Sequence, residues 1–215
     1  GKDTRTATIT VKGPDRARLE RSADWYPLRL ARELDRAILD LRHNYLDVGL
    51  WLLKTRGSVD SVLELDELLE KNKGDWLVRE TLGYLRRTLS RLDVSSRSMF
   101  AVIDEGSCFA GTLMELALAA DRSYMLRIDG GPKLALSELN FGAYPMANGI
   151  SRLAARFGGD VPSFHKNVLL SAEDAEKAGL VTAAPDDIDW QDEVRIAIEE
   201  RASLSPDALT GMEAS

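Results

Sequence analysis

At 215 residues and 23.8 kDa, with 44% hydrophobic and 29% charged residues, the chain has the size and balance of one folded domain with a sizeable core. A formal net charge of −7 argues against a general nucleic-acid binder, although local Arg clusters can still meet phosphates. Cys108 is the lone cysteine and His43 and His165 are the two histidines, which excludes an intramolecular disulfide and disfavours a Cys/His zinc site. No apolar run approaches the ~20 residues of a membrane span, and Gly1-Lys2-Asp3-Thr4 shows no signal-peptide pattern. The expected setting is a reducing cytoplasm, with no membrane partner.

Along the chain, Thr6 to Val11 alternates Thr with apolar residues, as a half-buried strand does. Leu28, Leu30, Leu34, Ile38 and Leu41 recur at helical spacing, so a helix is expected from Asp24 to about Arg42. Asp47 to Leu53 reads as a buried strand ending in a loop, Lys54 to Gly57. Helices follow over Val62 to Leu69 and Leu77 to Leu92, with Gly74-Asp75 between them as stop and N-cap. Ser98 to Ile103 is a strand, Asp104 to Ala110 a loop, and Gly111 to Ala120 a helix. Short strands at Ser123 to Leu126 and Leu134 to Leu136 come next, and a helix spans Asp189 to Ala202. Ser205-Pro206 then opens one more helix, and the C-terminus is expected to be truncated. Strands separated by helices imply βαβ crossovers and an α/β fold.

Phe100 to Asp121 carries the most chemistry. A strand, a loop of small residues and a helix present unpaired backbone N–H groups at the positive end of a helix dipole. Gly106, Ser107 and Gly111 leave room for a ligand to approach that backbone. Such a mouth makes an oxyanion hole without a charged side chain. Glu115 lies three residues after Thr112, on the same helix face.

Ser98 to Asp121, reading S-M-F-A-V-I-D-E-G-S-C-F-A-G-T-L-M-E-L-A-L-A-A-D, resembles the strand, glycine turn and E-L-A-L-A-x-D helix of the crotonase (enoyl-CoA hydratase) superfamily. Leu136-Ser137-Glu138-Leu139-Asn140-Phe141-Gly142 and the stretch from Leu170 to Val181 resemble two later segments of it, in the right order. Gly106 to Gly111, Asn140-Phe141-Gly142, Asp186 to Trp190 and Glu200 to Ala214 resemble more closely the C-terminal half of the benzoyl-CoA-dihydrodiol lyases, also called 2,3-epoxybenzoyl-CoA dihydrolases. The resemblance implies a crotonase-like fold, a repeated ββα superhelix, over residues 1–215. It also implies a fragment of a longer homo-oligomeric enzyme, dimer or trimer, that opens the ring of 2,3-epoxybenzoyl-CoA with release of formate. The CoA thioester is then the substrate, and no separate cofactor or metal is implied.

Carried over by position, the Thr112 N–H, after Gly111, takes the place of one oxyanion donor. Ser58 or Val59, after the second strand, takes the place of the other. Glu115 and Glu138 match the paired carboxylates that hold and activate water, and Asn140 is placed to orient water or substrate. Where the family has further glycines this chain has Thr112 and Leu113, which weighs against a plain enoyl-CoA hydratase or isomerase. A third reading is a non-catalytic half that supports dimerisation or CoA binding. Carboxyl groups that stand apart, or point into the core, favour that reading. Cys108, His43, His165, the Arg86, Arg87 and Arg91 cluster, and the four tryptophans are expected to be structural or solvated.

Overall fold

The computed structural model describes residues 5–213. Four parallel strands, β1 (Thr6–Lys12), β2 (Leu50–Arg56), β3 (Ser98–Ile103) and β4 (Arg122–Met125), form one sheet in chain order. Ile9, Leu53, Ala101 and Ser123 stand side by side across it. Parallel neighbours need crossovers, and helices supply them: α1 (Tyr26–Asn44), α2 (Val59–Lys71), α3 (Trp76–Ser90) and α4 (Gly111–Ala119). The chain then runs through a 3-10 turn (Glu138–Phe141), α5 (Arg152–Arg156), α6 (Ala172–Lys177), α7 (Trp190–Ser203) and α8 (Pro206–Glu213).

The caps lie where the sequence puts them. Asp75 accepts the Leu77 and Val78 N–H groups at the start of α3, and Ser58 accepts the Ser61 N–H at the start of α2. Leu30, Leu34 and Ile38 of α1 pack with Val62 and Leu69 of α2 and Val78 and Leu85 of α3 in the main core. Helix α4 is apolar apart from Thr112 and Glu115 and buried along almost its whole length, as a helix enclosed by others must be. The opposite sheet face, Leu50, Phe100 and Tyr124, is covered by α7 through Ala197, Val194 and Ile198.

Two expectations need correction. The second strand runs three residues further than its apolar run, because its polar end is satisfied. Thr55 is buried with its Oγ1 accepting the Cys108 N–H at 2.8 Å, while Lys54 and Arg56 pair with Asp104 at 3.1 and 2.6 Å. Leu134 to Leu136 is buried but makes only isolated bridges, Ala110 with Ala135 and Leu134 with Leu170. Burial without a neighbouring ladder gives that segment a strand's composition and not its pairing.

Candidate functional site

The mouth of α4 is occupied from within. Asp66, on α2, sends its carboxylate into the space beside Gly111. Its Oδ2 accepts the Thr112 N–H at 2.7 Å and the Ser137 hydroxyl at 2.6 Å, and its Oδ1 accepts the Thr112 hydroxyl at 2.6 Å. The Tyr144 hydroxyl closes the cluster 3.0 Å from Thr112 Oγ1. Asp66 is 1% exposed, and burial lifts its pKa to about 6 against the pull of the Ser137 and Thr112 hydrogen bonds. Gly111 has no side chain for a local reason. Its φ is +43°, and a Cβ there would lie 1.9 Å from Asp66 Oδ2. The small residue that reads in sequence as room for substrate is room for Asp66. The Thr112 N–H, expected as an oxyanion donor, therefore already has an anionic acceptor.

Glu115 lies one turn further along α4, in a second buried cluster. It is 1% exposed and accepts from Asn140 Nδ2 at 2.7 Å and Arg152 at 2.9 Å. Arg152, 2% exposed, also donates to both carboxylate oxygens of Asp93 at 2.9 Å and to the carbonyls of Leu89 and Tyr144. Burial pushes the Glu115 pKa to about 7, while the Arg152 charge and the Asn140 bond pull the other way. Asn140 spends its whole side chain on structure. Its Oδ1 accepts the Ser137 N–H at 2.8 Å, and its Nδ2 also donates to the Gly111 carbonyl at 2.9 Å. An Asn so engaged has no donor left over for a water or a substrate hydroxyl.

The remaining expected site residues do not converge on this pair of clusters. Glu138 begins the 3-10 turn but points outward, 52% exposed, and pairs with Lys166. Its carboxylate does not face that of Glu115, which is held in the core. Ser58 is exposed at the start of α2, roughly 12 Å along that helix from Asp66 at 1.5 Å per residue. Val59 begins the helix beside it. The loop after β3 is tied down by Arg56, Asp104 and Ser107, with the Gly57 N–H on the Gly106 carbonyl at 3.0 Å. Cys108 is buried against Gly13 and Gly57, and burial raises its pKa, which makes it a packing residue. No cluster of three or more His, Cys, Asp or Glu suited to a metal ion occurs among the described residues.

The residues that organise this region, Asp66, Ser137, Tyr144, Asp93 and Arg152, were not singled out in the sequence. One signal for Asp66 was available. It lies four residues after Val62 and three before Leu69, where the helical period assigns a core position. A carboxylate there needs buried donors.

No protein-family model matches the chain. It is 54% identical over 226 residues to the benzoyl-CoA-dihydrodiol lyase of Aromatoleum evansii, a match covering 99% of this chain and 41% of that protein. The chain thus spans less than half the length of this relative. Among solved structures, an enoyl-CoA hydratase from Bacillus anthracis matches with TM-score 0.67 and 20% identity, over 98% of this chain and 78% of that one. An enoyl-CoA hydratase/carnithine racemase from Magnetospirillum magneticum matches with TM-score 0.69 and 17% identity, over 98% and 76%. These structural likenesses establish the crotonase-like fold.

Proposed function

We propose that this chain is a crotonase-fold module of a longer lyase acting on a ring-derived acyl-CoA thioester, and that it is a supporting half of that enzyme. For the whole enzyme the reading is hydrolytic ring opening of 2,3-epoxybenzoyl-CoA with loss of formate, in aerobic benzoate breakdown. The 54% identity to a benzoyl-CoA-dihydrodiol lyase supports that substrate class. The supporting role, in dimerisation or CoA binding, rests on one observation: the Asp66 carboxylate on the Thr112 N–H. An oxyanion hole works when its donors point at the oxygen that gains charge, about 2.7–3.1 Å away. Here a side-chain anion takes that place, and it would repel a thioester oxyanion.

A second reading keeps the chemistry in this chain. Glu115, with a pKa lifted to about 7 and a direct bond to Asn140, has the proton affinity of a general acid or base at neutral pH. Turnover in the longer enzyme separates the two. With Glu115→Gln, and separately with Glu138→Gln, the supporting role predicts turnover within about threefold of the parent. Loss of a general base costs roughly 10²–10⁴. A fall of that size in a variant that stays folded by circular dichroism would move the chemistry back to Glu115.

A further inference from the structure

A cavity of about 300 Å³ opens at the far end of α4, away from the helix mouth. Leu118, in its wall, comes six residues after Thr112, roughly 9 Å along the helix at 1.5 Å per residue. Together with Leu92, Met99 and Met146 it gives the cavity an apolar wall. Three charged side chains share the lining: Asp93, Arg152 and Arg156. Arg152 is fully spent, its five N–H groups going to Asp93, Glu115 and the carbonyls of Leu89 and Tyr144. Arg156, the last residue of α5, is not. It is half-buried, its Nε donates to the Gly179 carbonyl at 2.8 Å, and among the described residues it forms no ion pair. Burial lowers its pKa, and no carboxylate opposes that shift. Asp121, just before β4, is taken up by the Met99 N–H, which it accepts at 2.7 Å.

An apolar wall beside a cation with unspent donors suits an amphipathic anion. We propose that this cavity is a binding site for a small organic carboxylate, held by the Arg156 guanidinium with its hydrocarbon body against Leu92, Met99, Leu118 and Met146. The planar guanidinium fork matches a carboxylate, and the apolar wall rewards the burial of a hydrocarbon body. Asp93 in the same lining disfavours a dianion such as phosphate, while its own charge is met by three bonds from Arg152. The volume lies at the lower end of small-molecule sites, which run from about 300 to 1,000 Å³, and is too small for a whole CoA thioester. The ligand is therefore distinct from the acyl-CoA proposed above, and the site does not depend on that reading. Arg152 lines the cavity and also holds Glu115, so the bound carboxylate would abut the second buried cluster.

The test is calorimetry of the chain with hexanoate and with benzoate at constant ionic strength. Hexanamide and benzamide serve as their neutral counterparts, and acetate lacks the hydrocarbon body. Saturable binding of hexanoate or benzoate is expected, about tenfold or more tighter than that of its amide or of acetate. Arg156→Met keeps an apolar stem and removes the charge, and should weaken binding by about tenfold or more, the loss for one charge-assisted hydrogen bond. Ala155→Phe, at an exposed position of the lining, should fill the cavity and weaken binding as much without touching the cation. Equal binding of acid and amide, or of either acid and acetate, would overturn the proposal, as would the absence of saturable binding. Undiminished binding in Ala155→Phe would do the same, whatever Arg156→Met does to the fold.

Discussion

Replacing Arg152 with methionine should cost about 3–5 kcal/mol of folding stability, the penalty for stripping the partner from a buried charge. Met has similar reach, so little of the loss comes from volume. The loss comes from Glu115, left in the core with Asn140 as its remaining donor, and from Asp93, which loses the three bonds it accepts from Arg152. The effect should depend on pH, with a sign fixed by Glu115. Its native pKa of about 7 lies above the ordinary 4.5, so between those values the native state holds more protons than the unfolded state. The stability it contributes is complete below the unfolded pKa and is lost as pH rises through the native one. Arg152→Met should therefore be most damaging at about pH 8 and least at about pH 5. Glu115→Gln should flatten the fall of stability across the same window. Urea unfolding of the three proteins at the two pH values measures all of this.

Gly111→Ala should be of similar severity, about 3 kcal/mol or more, because two mechanisms add. The new Cβ would meet Asp66 Oδ2 at 1.9 Å and Ser137 Oγ at 2.9 Å, and the backbone at φ +43° disfavours any side chain. The two can be separated. In an Asp66→Ser background the carboxylate is gone, and Gly111→Ala should cost clearly less: the conformational part, about 1–2 kcal/mol, plus a small shift of the Ser137 hydroxyl, 2.9 Å from the new Cβ. A full cost in that background would mean that Asp66 does not fill the mouth. Coupling measured by this double-mutant cycle reports on the contact itself.

Much of the fold was legible because periodicity is a local signal. Leu30, Leu34 and Ile38 mark one face of α1, and Ser98 to Ile103 is a strand with the bounds its apolar run suggests. The end of β2 was not legible, because Lys54, Thr55 and Arg56 are polar and become strand only once Asp104 and Cys108 arrive from a loop some fifty residues later. The site was legible in position and misleading in chemistry. Gly111, Thr112, Glu115 and Asn140 do gather at the start of α4. What they do there depends on Asp66, 46 residues before Thr112, and on Arg152, 37 residues after Glu115. Neither partner can be assigned from spacing, since a buried ion pair is made by packing between distant segments. Glu138 illustrates the converse: a motif position that the chain turns to the surface, where Lys166 meets it.

The central claim is that the helix mouth already holds an anion and does not grip a thioester carbonyl. Calorimetric titration of the chain with benzoyl-CoA and with free CoA tests it most directly. If Asp66 occupies the Thr112 N–H, the thioester adds no hydrogen bond, and the two ligands should bind with affinities within about threefold of each other. If benzoyl-CoA binds tenfold or more tightly than CoA, a gain of about 1.4 kcal/mol from the acyl end, the carbonyl has displaced Asp66 and the claim fails.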